Sequence, residues 1–545
     1  MASGIGRASA LLASGTIVSR VLGFASGVVL AQTLGSRGTG ANTFALANQL
    51  PNNIYAIIAG GLLSAVFVPA IVRAGLHDDG GQRFVNRLVT LGILVFVAAA
   101  AIATFAAPLL VNLYAQSGDR GFSDADLSLA IAFAYWCLPQ VLFYALYSLL
   151  GEVLNARGVF GPFTWAPALN NLVAMSGLVA FLVLFGSDAG RASAASWTPA
   201  MVALIAGSAT LGVALQALVL CLFWRKAGLR YRPDFRWRGV GLGTAGRAAA
   251  WTFGMILVTQ LAGVVQTNVA SIAAGPDSDD PSLAVLRYTW LIFMLPHSVA
   301  AVSIATAYFT RMSTHARDGQ LDEVRSDLSS SLRSIGLIIV FASIALMVVA
   351  FPFSRLFVLG GFDDILGMGP VLIAFLAGLV PFSILHVLRR TFYALEDTRT
   401  PFFITVFQAA LFVAGAIGVS FLPIPYIALG IAVVTTLAGV AQTALAAVLI
   451  RRRLGAVDGV LLVRRHAVFL AAALTAAVVG LAITFALGGY GRGGWAIGTP
   501  ITAAITVAAV GVAMAVVYFA VLLVARNPEA AAFVGPIARR LRRTL

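Results

Sequence analysis

Residues 9–35 read SALLASGTIVSRVLGFASGVVLAQTLG, one apolar run with a single charge, Arg20, near its middle. About 20 apolar residues cross the hydrocarbon core of a bilayer as a helix. Lipid offers the backbone no partner, so such a run must bond to itself. The run is too long for the apolar segment of a signal peptide and carries an arginine at its centre, so it reads as a first membrane helix. Working outward, similar runs occupy 43–72, 85–115, 128–152, 162–186, 200–225, 246–273, 283–308, 332–357, 366–394, 402–422, 425–450, 464–488 and 498–525. The reading is an all-α polytopic membrane protein with 14 transmembrane helices. Of the 545 residues 60% are hydrophobic and 10% charged, against about 25% charged in soluble domains. No polar stretch is long enough for a separate soluble domain.

The gaps between runs alternate in charge. Those after even-numbered spans hold Arg73/Arg83/Arg87, Arg157, a cluster from Arg225 to Arg247, Arg311 to Arg333, Arg389/Arg390/Arg399 and Arg451 to Arg465; the tail adds Arg526, Arg539, Arg540, Arg542 and Arg543. With Arg7, about 29 of the 36 Lys and Arg fall on this side. The opposite gaps are acidic: Asp119/Asp124/Asp126, Asp277/Asp279/Asp280 and Asp363/Asp364. Basic residues mark the cytoplasmic face, so both termini are expected there. A net charge of +15 also raises nucleic acid as a partner, but its confinement to membrane edges argues for topology instead. The tail and the 225–247 gap are placed to meet anionic membrane lipids. Cys137 and Cys221, both inside apolar runs, read as small buried hydrophobes rather than a disulfide.

The chain repeats itself. Leu50-Pro51-Asn52-Asn53 in span 2 matches Leu295-Pro296-His297-Ser298 in span 8, about 245 residues on. The stretch Leu154 to Phe163 matches Leu395 to Phe402, about 239 residues on. The unit is six helices, and an even number makes the two copies parallel. Expected divisions are 1–230 for spans 1–6, 231–455 for spans 7–12, and 456–545 for two extra C-terminal helices with a basic tail. Substrate in such transporters sits where the repeats meet.

A charge within a span is by default functional. Arg20 cannot discharge. It must meet water and carbonyls, an acid or an anion; spans 1 and 2 hold no acid, which favours an anionic ligand. Asn42, Asn48, Gln49, Asn52 and Asn53 surround Pro51 and either bind a head group or tie helices together. Arg287 is either a second cavity cation or a side chain snorkelling to the interface. His297 is either a satisfied helix residue or a proton relay. Arg389 and Arg390 either face the inner mouth of a cavity or anchor span 10. The expected substrate-binding set is therefore Arg20, Asn48, Asn52, Asn53, Arg287, His297, Arg389 and Arg390. Spans 7, 11 and 12 have no core carboxylate, only amides and threonines such as Gln260, Asn268 and Thr435, which make a weak cation site. No zinc ligand set, phosphate-binding glycine loop or nucleophile triad is present.

Ser19-Arg20-Val21-Leu22-Gly23-Phe24, Asn48-Gln49-Leu50-Pro51-Asn52, Ala65-Val66-Phe67-Val68-Pro69, Leu295-Pro296-His297 and the block Phe392 to Pro401 follow the order and spacing of the MurJ/MviN family. The chain resembles these lipid II flippases of the MOP (MATE-like) superfamily over nearly its whole length. The resemblance implies two six-helix lobes around a cationic cavity that takes the pyrophosphate and sugar–peptide head group. It also implies a groove involving spans 13 and 14 for the polyprenyl tail. Alternating access would carry lipid II from the inner to the outer leaflet of a bacterial plasma membrane. That is transport rather than enzyme chemistry, needing no cofactor and driven by membrane potential or a monovalent cation gradient. Arg20 matches a family cavity arginine. Other charged family positions fall on Ser26, Tyr55, Gly60 and about Leu291 here; Arg287, one turn before Leu291, is on the same helix face. The kinase-like domain that some relatives carry after span 14 is not expected.

Expected partners are lipid II, membrane lipids and cell-wall synthesis proteins, with no nucleic acid. Rival classes are an exporter of another lipid-linked oligosaccharide or of drugs, a membrane glycosyltransferase, and a degenerate flippase acting as a cell-wall synthesis scaffold. A drug exporter for cations would want a mid-span acid in the first lobe, and a glycosyltransferase would want carboxylates in the first outer loop. The chain has neither.

Overall fold

Helix after helix follows from runs of Ala, Leu, Val and Ile that bury no unpaired backbone. The computed structural model describes residues 2–59, 82–118, 120–187, 193–236, 246–275, 280–455 and 457–535, with 2–13 and 246–249 by backbone alone. Ala65 to Pro69, Gly60, Arg73, Asp119, Asp277, Asp279 and the tail arginines from Arg539 to Arg543 lie outside the described residues.

In chain order the helices are α1 (Ala2–Leu34), α2 (Thr39–Ile58), α3 (Gln82–Phe105), α4 (Ala107–Tyr114), α5 (Asp124–Cys137), α6 (Gln140–Ala156), α7 (Gly161–Phe185), α8 (Pro199–Leu218), α9 (Gly246–Ser271) and α10 (Leu283–Pro296). They continue as α11 (Val302–Arg317), α12 (Leu321–Val348), α13 (Ala350–Arg355), α14 (Phe362–Ala377), α15 (Leu379–Ala394), α16 (Arg399–Val419), α17 (Ile427–Leu454), α18 (Gly459–Ala486), α19 (Trp495–Gly498) and α20 (Pro500–Val524). No strand occurs among the described residues. Among the described residues thirteen helices or broken helix pairs are long and apolar enough to cross a membrane, and α2, the described part of span 2, is a further helix outside that set. Large apolar side chains stand bare on their outer faces, Phe105 at 87% and Val183 at 78% exposed, which suits lipid and not water.

The repeat is visible in the backbone. Pro51 sits inside α2, and Pro296 ends α10 at a π-helical turn, His297–Ala301. Span 3 breaks at Ala106 and span 9 at Val349, 243 residues apart. Span 4 breaks at Pro139 and span 10 at Gly378, 239 apart. Spans 4 and 10 also end alike. Val159 N–H donates to the Leu154 carbonyl around Gly158 at φ 74°, and Asp397 N–H donates to the Phe392 carbonyl around Glu396 at φ 58°. This six-to-one bond over a left-handed residue stops a helix sharply. Asp397 then starts α16, accepting from Thr400 N–H at 2.9 Å and from its hydroxyl at 2.6 Å.

The chain divides into two compact units, Met1–Arg287 with Val419–Ile427, and Tyr288–Gly418 with Ala428–Leu545. The first contains spans 1–7, and this division falls inside α10. In unit 2 one end is tied by buried acids: Asp327 meets Arg311 at 2.8 Å and His315 at 3.0 Å, and Glu529 meets Arg333 at 2.7 Å. At the other end Arg355 donates to the carbonyls of Ile497 and Gly498, and Arg492 meets Asp363 at 2.8 Å. Cys137 is buried as expected. Cys221 is exposed near the end of span 6, a correction to its reading as buried; a thiol is apolar enough to face lipid.

Candidate functional site

In unit 1 the first span is pinned by its small residues. Side chains at Gly15 would crowd Thr164 and Trp165, and Gly23 faces Asn171. Asn171 also donates to the Ser19 carbonyl at 3.1 Å. Gly15, Ser19 and Gly23 recur every four residues and so form the face that packs on α7. Arg20 lies about 100° round the helix from Ser19. It is exposed, and it makes no ion pair or hydrogen bond among the described residues.

The amides of span 2 separate into two groups. Asn42 accepts from Ala284 N–H at 3.1 Å, and Gln49 donates to Thr267 Oγ1 at 3.3 Å. These two tie α2 to α10 and α9. Asn48 and Asn52 make no such bond, and Asn52 is exposed. Asn53 lends its carbonyl to Gln260 Nε2 at 3.1 Å, while its own Nδ2 is buried without a partner near Tyr114. Tyr55, at a family charge position, is occupied: its hydroxyl lies 2.5 Å from Ser148 Oγ.

Arg287 is half-buried, with its guanidinium 5.7 Å from the centroid of Phe44, and its field reaches Tyr144 and Cys137. Phe44 is itself buried and edge-on to Phe133 at 5.4 Å. The ring face holds the cation, and no acid pairs with it among the described residues.

In unit 2 the polar groups close on one another. His297, 3% exposed, opens the π-turn after Pro296. Its Nδ1 lies 3.0 Å from Ser383 Oγ, and its ring stands edge-on to Phe382 at 4.6 Å and to His386 at 5.3 Å. His386, which the sequence reading passed over, buries Nε2 without a partner. Its signal was the spacing to Arg389 and Arg390, one turn on. Arg389 donates to Thr405 Oγ1 at 3.2 Å and keeps Nε buried and unpaired; Arg390 lies 5.0 Å from the Phe309 ring. A π-turn and unpaired buried donors are features that gather at functional sites.

Unit 2 also encloses an apolar cavity of about 830 Å³ between α12, α15, α17 and α18, with Val340, Met347, Ile384, Ala447 and Leu470 on its walls and Arg451 and His466 among its few polar groups. Span 13 lines it; no residue of α20 does. Among the described residues no three His, Cys, Asp or Glu side chains gather to hold a metal.

The model of the family described as "Lipid II flippase MurJ" matches residues 30–506. The chain belongs to the lipid II flippase MurJ family. Two relatives named "Probable lipid II flippase MurJ" are each 28% identical. The one from Haemophilus influenzae aligns over 85% of this chain and 89% of its own; the one from Rhizobium tropici aligns over 73% and 72%. Among solved structures, a lipid II flippase MurJ in an inward closed conformation covers 94% of this chain and 99% of its own, at TM-score 0.70 and 18% identity. An inward-facing multidrug MATE transporter of the MOP superfamily covers 81% and 96%, at TM-score 0.63 and 16% identity. At such identities the two structures speak for the fold, and both agree with the MOP-type helix order of a MurJ family member.

Proposed function

We propose that the protein moves lipid II from the inner to the outer leaflet of the bacterial plasma membrane by alternating access, with both termini in the cytoplasm. The observation that carries this reading is Arg20, a permanent cation in the middle of the first span, exposed and with no counter-charge among the described residues. A guanidinium exposed at mid-span with no acid beside it suits an anionic ligand, and a pyrophosphate accepts its forked donors well. Membership of the flippase family supplies the substrate class. The arginine-rich gaps on one side support the orientation.

In this reading Arg20 and Arg287 meet the pyrophosphate, and Asn48, Asn52 and Asn53 bond the sugar–peptide part. Arg389 and Arg390 meet the head group at the cytoplasmic mouth of span 10, and His297 sets the bend of span 8 that shapes it. The polyprenyl tail rests on apolar surface such as the cavity beside span 13. Transport needs no cofactor. Membrane potential suffices in sign, because an anionic head group leaving a negative cytoplasm runs downhill by about 2.3 kcal/mol per charge per 100 mV; a monovalent cation gradient is the other drive. Lipid II is the substrate, and cell-wall synthesis proteins are its downstream users.

Depletion of the protein tests the reading. Lipid II should accumulate while losing its accessibility to a label applied outside intact cells. Unchanged labelling from outside would overturn it.

A further inference from the structure

A second built surface lies in unit 1, where the end of span 6 meets the start of span 3. After α8 the chain tightens into short 3-10 turns over Val219–Phe223 and Arg225–Ala227, turns at Gly228, and runs back extended over residues 229–236. Gln82 clamps Arg230 twice, donating to its carbonyl at 2.8 Å and accepting its N–H at 3.2 Å. Thr90 Oγ1 accepts the Asp234 N–H at 3.1 Å and lies 3.0 Å from the Tyr231 hydroxyl. Arg236 and Arg87 each reach the Asp234 carboxylate at 3.1 Å and hold it well below the usual carboxylate range. The segment is thereby fixed, and its acid is already neutralised.

Two depressions result, sharing Gly228 and Arg230. One is a trough of about 980 Å³ walled by Val89, Ile93, Leu146, Leu150 and Leu218, with Arg225 and Arg230 at its rim. The other is a basin of about 770 Å³ whose lining includes Arg83, Arg232 and Arg236. The side chains of Arg225, Arg230 and Arg232 form no ion pair or hydrogen bond among the described residues. Trp224 lines the trough. Its ring is seated in the core with 7% exposure, yet its Nε1–H has no acceptor. A buried donor left unpaired is destabilising, and an oxygen-bearing ligand in the trough would relieve it.

We propose that trough and basin together hold an anionic two-chain phospholipid. Its phosphate meets Arg225, Arg230 and Arg232, an acyl chain lies on the Val89–Leu218 wall, and an ester or phosphate oxygen accepts from Trp224. The neighbouring wall is lipid-facing, with Leu218 48% and Leu222 75% exposed, so the chain enters from the bilayer. A free phosphate matches the basin and leaves the trough bare; a neutral phospholipid matches the trough and leaves three guanidiniums unneutralised. The site is separate from the residues assigned to lipid II and stands or falls without them.

The full-length protein in phosphatidylcholine nanodiscs, titrated with phosphatidylglycerol and read by native mass spectrometry, tests this. Wild type should retain phosphatidylglycerol over phosphatidylcholine by about tenfold, since each surface arginine attracts an anionic lipid by severalfold. R225Q, R230Q and R232Q should each weaken the preference, the triple variant should erase it, and W224F should lower retention while keeping the ring. R452Q/R453Q/R464Q, which removes equal charge elsewhere, should keep the preference. The proposal is overturned if wild type shows no preference, if both triple variants lose it equally, or if inorganic phosphate displaces the lipid completely. The exposed arginines are replaced singly as well, so a folding defect in the triple variant cannot mask the result.

Discussion

The opening of span 2 and the matching stretch of span 8 carry proline at the same repeat position, Pro51 and Pro296, but use their polar side chains differently. After Pro51, among the described residues, the side chain of Asn52 is exposed with no partner, and Asn53 lies beside Tyr114 with its Nδ2 left over. After Pro296, His297 is buried against Ser383, Phe382 and His386. The arginines follow suit in part: among the described residues Arg20 has no partner, whereas Arg389 donates to Thr405 with its Nε left over and Arg390 leans on Phe309. One backbone plan has thus been given an open polar surface in unit 1 and a closed polar network in unit 2. Open groups recognise ligands and closed ones hold helices in register, and the unpaired Nε of Arg389 leaves one donor in unit 2 for a head group.

The sharpest way to break this contrast is at Arg20. Arg20→Ala should lower flipping at least tenfold and about a hundredfold at most, the range of one charge-assisted contact, with membrane insertion unchanged. Next comes Arg287→Ala, expected to lower the rate by about tenfold through loss of a cation held on Phe44; an unchanged rate would return Arg287 to an anchoring role. The amides then divide. Asn48→Ala and Asn52→Ala should slow transport several-fold at constant thermal stability, whereas Asn42→Ala and Gln49→Ala should lower stability by about 1 kcal/mol each, the worth of a helix-tying bond, read as a falling Tm in detergent. The smallest effect concerns the paired helix ends. Glu396→Gly should hold or raise stability and Gly158→Ala should lower it by about 1 kcal/mol, because a side chain resists the left-handed backbone.

The loop clamp gives a pH expectation. Arg236 and Arg87 depress the Asp234 carboxyl. A depressed carboxylate contributes its full stability above its unfolded pKa of about 3.9 and loses it as pH falls through the lower folded value. Protease sensitivity of residues 229–236 should therefore stay flat from pH 8 to 5 and rise only in stronger acid; a rise near pH 6 would contradict the clamp.

Much of the fold was legible because hydropathy and gap charge are strong, local signals. Each of the fourteen runs is helical where it is described, and the repeat announced by Pro51 and Pro296 reappears in the breaks at Ala106/Val349 and Pro139/Gly378. Arg20 was legible because an arginine in an apolar run has no ordinary explanation. What stayed hidden depends on contacts between distant residues. The sequence gives no sign that Asn42 and Gln49 are tied while Asn48 is not, since their partners Ala284 and Thr267 lie more than 200 residues away. The clamp of Gln82 and Thr90 on residues 230–234 was hidden for the same reason. His386 was overlooked because a lone histidine among Leu and Val is ordinary, and its meaning comes only from the ring of His297 across the helix gap.

The most direct measurement is the rate at which the purified protein, in proteoliposomes with an imposed potential, carries fluorescent lipid II between leaflets. Wild type should transfer it, Arg20→Lys should retain part of the rate, and Arg20→Ala should be slower than wild type by tenfold to about a hundredfold. Equal transfer by wild type and Arg20→Ala would contradict the account.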